Sequence, residues 1–200
     1  NEGNVSYGKL LESFVFEESP LEKKKQYVIM VPGGFKPPTG GHYSMIKQYD
    51  EKSDVIKVFV VTGPKAREGV TLEQYGGFSD KVEFITGDEP TPIHTCYELI
   101  KNPKFTSQFP DASFSIGAGD KDNDSKRIKQ FVDYFDQRPE LTNASVVAYP
   151  AAKTLEVGGI PASASRMRKA FKENDWETFK KLLPNEALYD NVVKILSKGG

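Results

Sequence analysis

Cysteine is nearly absent from this chain of 200 residues. Cys96 stands alone, which excludes an internal disulfide and any multi-cysteine metal site. Histidine is almost as scarce: His42 and His94 are too few for a histidine-rich metal site. No apolar run approaches the ~20 residues of a membrane span. Charge of neither sign prevails, with 27 basic against 28 acidic residues and a net of -1. That gives no global electrostatic case for a nucleic acid or an anionic membrane as partner. No signal-peptide pattern is recognisable at the start, so a reducing, cytoplasmic setting is expected. Internal repeats and low-complexity tracts are missing too. The length suits one domain with a sizeable core.

What the chain does have is glycine in one telling place. The apolar run Tyr27–Val31 enters Pro32-Gly33-Gly34-Phe35-Lys36-Pro37-Pro38-Thr39-Gly40-Gly41, and a helix-like run, His42–Tyr49, leaves it. The pattern predicts a strand, a glycine-rich turn and a helix start. Gly33 and Gly34 let the backbone approach a ligand. Pro37 and Pro38 stiffen the turn and remove two amide donors. Gly40 and Gly41 place free amides at a helix N-terminus, which suits a phosphate. Thr39 and His42, three residues apart, can both point into that mouth. The spacing is neither the Gly-x-Gly-x-x-Gly of dinucleotide-binding folds nor a P-loop.

Ahead of this stretch, residues 1 to 26 read as an arm, either surface-packed or used for docking, with Leu10, Leu11, Phe14 and Phe16 as its short apolar patch. Beyond it, Val55–Val61 reads as a buried parallel strand. A loop bearing Lys65 and Arg67 follows, where open α/β sheets bind ligands, and Thr71 reads as an N-cap. The sequence then passes from Gln74 to Tyr75-Gly76-Gly77, leaving barely enough chain for a crossover helix. A single short turn, or a segment absent from the sequence, are the two readings. Lys81–Thr86 is a third strand. Ile93, Cys96, Tyr97 and Ile100 share one face of the next helix, which makes Cys96 a small buried side chain and His94 a surface residue.

Ala112–Ile116 is the fourth strand, ending in Gly117-Ala118-Gly119-Asp120. Ile128, Phe131, Val132 and Phe135 mark another helix, and Ser145–Tyr149 a fifth strand. The repeated β-α order predicts an α/β fold, a Rossmann-like, doubly wound, parallel five-stranded sheet with helices on both faces and a C-terminal helical tail. The expected organisation is an arm over 1–26, one domain over 27–184, and a C-terminal helix over 185–200 packed on it. Ile160-Pro161-Ala162-Ser163-Ala164-Ser165-Arg166-Met167-Arg168 is a second anion cradle: Ser163 or Ser165 can cap, the helix dipole attracts negative charge, and Arg168 can grip a phosphate.

Two signatures of the nucleotidylyltransferase superfamily resemble these cradles. Gly33, Phe35, Pro37, Thr39, Gly41 and His42 match Gly-x-Phe-x-Pro-x-(His/Thr)-x-Gly-His, and Ser163, Ser165 and Arg168 match Ile-Ser-x-Thr-x-x-Arg with Ser in place of Thr. The Thr-x-Gly-His form is closest to adenylyltransferases of the nicotinamide-mononucleotide and phosphopantetheine type. The resemblance implies transfer of an NMP group, AMP from ATP before any other, to a small phosphate-bearing acceptor with release of pyrophosphate. His42, Thr39 and Lys36 would be catalytic. Gly33, Gly34, Phe35, Gly41, His42, Gly117, Gly119, Asp120, Ser163, Ser165 and Arg168 would bind the nucleotide, and Lys65 and Arg67 the acceptor or a phosphate. Mg²⁺ would arrive with the triphosphate, and no residue is expected as a dedicated metal ligand. Partners beyond the two substrates would be a second copy of the chain or something docked on the N-terminal arm, not a membrane or a nucleic acid. Many members carry Asp where Lys36 stands, which favours an anionic acceptor. Two alternatives remain open: a cytidylyltransferase using CTP, or a catalytically weak nucleotide-binding or structural module, viral versions included, that keeps the fold.

Overall fold

A computed structural model of the chain describes residues 24–35, 38–64, 73, 76–121, 124–184, 189–190, 193 and 196–197. Residues 1–23 of the N-terminal arm, Lys36, Lys65, Arg67, the Thr71 cap and most of the 185–200 segment lie outside the described residues.

Five parallel strands form the main sheet: β1 (Tyr27–Pro32), β2 (Val55–Thr62), β3 (Val82–Thr86), β4 (Ser113–Ile116) and β5 (Ser145–Val146), in the spatial order β3-β2-β1-β4-β5. This is the expected doubly wound α/β sheet. β1 is central, with Tyr27 beside Val55 on one edge and Ser113 on the other. Its side chains alternate between faces, as strand geometry requires. Val28 and Met30 join Phe59, Phe114, Ile100 and Phe131 on one face, while Ile29 and Val31 join Val58, Val60, Ile46 and Tyr49 on the other.

The first face is covered by α2 (Pro92–Lys101) and α4 (Asp124–Asp136), with the single turn α3 (Pro103–Thr106) beside them. α1 (Gly40–Asp50) covers the second. The helical period places Cys96 and Ile100, and Ile128, Phe131 and Phe135, fully inward. Burial pushes the Cys96 thiol well up, so it is inert packing. His94 is exposed, beside Glu89 at 3.4 Å and Glu98 at 3.7 Å.

The fifth strand is shorter than its apolar run predicts. The strand ends at Val146; one more amide bond runs from Val147 to the Phe114 carbonyl at 2.8 Å, and the Tyr149 amide then turns to the buried Ser115 hydroxyl at 3.1 Å, a side chain standing in for the ladder. The chain then makes a two-stranded hairpin, β6 (Glu156–Val157) with β7 (Ile160–Pro161). Its turn, Gly158-Gly159, has φ of 65° and 77°, a left-handed pair that suits a tight hairpin. α5 (Ala164–Lys172) and α6 (Trp176–Leu182) close the molecule around Met167, Phe179 and Leu182, with Tyr189, Val193 and Leu196 packed on that cluster. Among the described residues no helix is long and apolar enough to cross a membrane.

Candidate active site

The order of strands reverses between β1 and β4, and open α/β sheets bind ligands where the carboxyl ends of such strands part. The turn after β1 and Gly117–Asp120 after β4 both lie at that crevice.

The first cradle is a helix cap with an unusual third residue. Thr39, wholly buried, is the N-cap of α1, and its hydroxyl accepts the His42 amide at 3.3 Å. In return the Thr39 amide donates to His42 Nδ1 at 3.0 Å. This is a capping box in which an imidazole takes the place that Glu or Gln ordinarily fills. The hydrogen bond has a chemical consequence. A nitrogen that accepts an N–H carries no proton, so a neutral ring keeps its proton on Nε2. Burial pushes the pKa of His42 down to about 4, so at neutral pH the ring is uncharged and offers Nε2–H as a donor. Thr39 was expected beside His42 in the mouth; its amide and hydroxyl both meet His42, and its carbonyl accepts the Tyr43 amide at 3.0 Å.

Phe35 lies in the buried wall of the site. Its ring centroid is 4.9 Å from that of His42, with the planes crossing at 74°. Gly33 is required beneath it, since a Cβ there would lie 2.7 Å from the ring.

The second cradle begins at Ser163, the N-cap of α5, whose hydroxyl accepts the Arg166 amide at 3.1 Å. Of the two serines that could cap, Ser163 does so. Arg168 Nη2 donates to the Ser165 hydroxyl at 3.2 Å, and Arg166 Nη1 to the Ile160 carbonyl at 2.8 Å. Both Ser163 and Arg168 are exposed.

The two cradles meet. A Cβ on Gly41 would stand 2.5 Å from the Ala162 carbonyl oxygen, one residue before the α5 cap. Gly40 lies near the end of α6, where an added Cβ would be 3.2 Å from the Leu183 carbonyl oxygen. Gly41 lets the start of α1 press against the start of α5, which brings 120 intervening residues back to one mouth.

Sequence reasoning missed the strap that makes this possible. From Pro150 to Ala162 the chain crosses the crevice, fastened at several points. Gln48 grips Lys153 with both amide atoms, each bond 2.8 Å. The Tyr49 hydroxyl donates to the Pro150 carbonyl at 3.1 Å. Asp120 accepts the Thr154 amide at 2.9 Å, and the hydrogen bonds from Thr154 hold its carboxyl below the usual range. The observed partner of Asp120 is thus the strap. Gly117 is buried, and a Cβ there would lie 2.7 Å from Tyr49; a Cβ on Gly119 would lie 2.9 Å from Thr154. Both glycines serve close packing. Gly158-Gly159 in a run of extended residues was a legible hairpin signal, whereas the Gln48 clamp has none, since it joins residues 105 apart.

Among the described residues no group of three or more His, Cys, Asp or Glu could hold a metal ion.

No family model and no curated protein sequence matches this chain. Solved structures do share its architecture. A Plasmodium falciparum nicotinic acid mononucleotide adenylyltransferase complexed with NaAD is 16% identical, with a TM-score of 0.51 over 87% of this chain and 96% of that one. Its complex with APC gives 0.52 at the same identity and coverage. A Vibrio parahaemolyticus protein assigned as a nicotinate-nucleotide adenylyltransferase gives 0.50 at 16% identity, over 86% of this chain and 99% of that one. By structural overlap and coverage, the chain has the fold seen in these proteins.

Proposed function

We propose that the chain is a nucleotidylyltransferase that moves AMP from ATP to a small phosphate-bearing acceptor. The contact between Gly41 and Ala162 carries the proposal, because it makes one mouth from two anion-binding helix starts. The shared fold supports it, and the name of the Plasmodium neighbour makes nicotinic acid mononucleotide the first acceptor to try.

In this reading an acceptor phosphate oxygen attacks the α-phosphorus in line. The bond from that phosphorus to the bridging oxygen breaks, and pyrophosphate leaves with the electron pair. No enzyme nucleophile is needed, so catalysis is positioning and charge stabilisation. His42 donates Nε2–H to a non-bridging α-phosphate oxygen, where negative charge grows in the transition state. Being neutral and already oriented, the ring gives up no proton and needs no reorganisation. The amides around Gly41 add fixed dipoles, and Thr39 keeps the ring in register. Ser163, Ser165 and Arg168 hold the β- and γ-phosphates. Lys36, Lys65 and Arg67 contact the acceptor phosphate or the leaving group. Gly117, Gly119 and Asp120 shape the loop on which the nucleoside rests. Mg²⁺ enters as part of the substrate, bound to phosphate oxygens and water.

Pyrophosphate release tests the reading. Each nucleoside triphosphate is paired with nicotinic acid mononucleotide and with a panel of other small phosphorylated acceptors. ATP with one acceptor is the expected pair. Release from CTP alone transfers the assignment to cytidylyl chemistry, and bound nucleotide without release from any pair overturns enzymatic function.

A further inference from the structure

We infer that Phe35 is a positioning residue for His42, its ring holding the imidazole in the one orientation that the Thr39 amide selects. The proposal rests on the nucleotidylyl-transfer reading for its kinetic consequence, but not for its structural content.

The backbone supplies the first observation. Phe35 has φ of 48°, in the left-handed region that a bulky side chain rarely adopts. Its neighbour Gly34 would take such a conformation without strain, and so would a glycine at 35 itself. A strained backbone held at a ligand mouth points to a side chain that is needed there. The second observation is what the ring touches. Phe35 is buried, sits on Gly33, and meets the His42 ring at 4.9 Å and 74°, a geometry aromatic pairs favour. The third is the division of labour around the imidazole. The Thr39 amide fixes one atom, Nδ1. The Thr39 hydroxyl meets the same atom at 3.4 Å, and contacts at one atom leave the ring free to rock about it; a second ring packed across it removes that freedom. Among the described residues no charged group perturbs His42, so burial alone keeps it neutral, and Phe35 is part of that burial.

A core residue would act on stability only. A positioning residue also changes the state of His42. The chain has two histidines, and exposed His94 serves as an internal reference for ring nitrogen NMR. Two variants are used because either alone is ambiguous: Phe35→Leu keeps apolar volume, and Phe35→Gly suits the left-handed backbone. In the wild type His42 is expected as the Nε2–H tautomer, titrating near its buried value of about 4. In both variants the Nδ1–H tautomer should appear and the titration should move towards 6.5. Under the proposed reaction, kcat should fall on the order of tenfold to a hundredfold, further than nucleotide affinity falls. Unchanged His42 signals in both variants overturn the inference. A wild type that transfers no nucleotide, yet shows the tautomer shift in its variants, overturns the reaction and leaves the positioning role standing.

Discussion

The two helix starts that meet at Gly41 and Ala162 are built on opposite plans. At α1 the cap is buried, and the residue that completes it, His42, is tied to Thr39 by a reciprocal pair of bonds and packed by Phe35. At α5 the cap is an exposed serine, and the helix carries Arg166 and Arg168 within its first two turns. One end is neutral and half-buried; the other is cationic and more exposed. A neutral donor in a dry, fixed site stabilises charge that appears only in the transition state. An exposed arginine attracts charge that is present throughout and therefore binds it uniformly. The same dipole at a helix N-terminus can thus serve rate at one end and affinity at the other, according to what surrounds it.

The sharpest break in that comparison is His42→Ala, which should lower kcat about 10²–10³-fold with little change in nucleotide affinity. His42→Gln, which restores a normal capping box, separates lost chemistry from a lost cap: steady-state kinetics on both variants should show the same fall. An alanine variant with full turnover removes His42 from the reaction.

The next effect concerns pH. The folded pKa of His42, about 4, lies below the value of 6.5 expected when unfolded. The unfolded chain therefore takes up a proton first, and acid favours unfolding. Above pH 6.5 the burial of this ring carries no penalty. Between 6.5 and 4 the penalty grows to about 3 kcal/mol. Urea unfolding of wild type against His42→Gln across that window should show the difference open as pH falls, and a constant difference contradicts it.

Gly41→Ala tests the junction itself. Its Cβ would be forced to within 2.5 Å of a backbone oxygen, so one helix start must shift. A loss of about 1–3 kcal/mol in stability is expected, with turnover falling further than nucleotide binding. Equal stability and activity would mean that the two starts are not pressed together.

Arg168→Ala should have the smallest effect: nucleotide affinity weaker by on the order of tenfold and kcat nearly unchanged. Titration calorimetry with the triphosphate and with the monophosphate sharpens the point, because only the triphosphate should lose affinity.

Much of this molecule was legible as sequence. The strands announced themselves as short β-branched runs, and α2 and α4 as apolar stripes of helical period, because both signals are local. Both cradles could be read for the same reason: caps and phosphate-binding amides depend on neighbours within four residues. The end of β5 could not be read, since the Ser115 hydroxyl that stands in for its ladder lies on another strand. Nor could the grip of Gln48 on Lys153, or the tie from Asp120 to Thr154, where the partners are far apart in sequence. Asp120 and Gly117 looked like ligand contacts because a glycine-rich loop after a strand has that appearance. In the fold they also pack against Tyr49 and tie to the strap, contacts that the local pattern did not announce.

The central place of β1 also bears on how the chain is made. This strand, with Val28, Ile29, Met30 and Val31 all fully buried, gains its β4 partner only after about eighty further residues have been synthesised. At ordinary rates of translation that interval lasts several seconds. Throughout it, the most apolar strand of the nascent protein has one open edge, a template for any neighbouring chain. The stretch that ends at the candidate active site is therefore also one whose open edge must stay clear of other chains while the polypeptide grows.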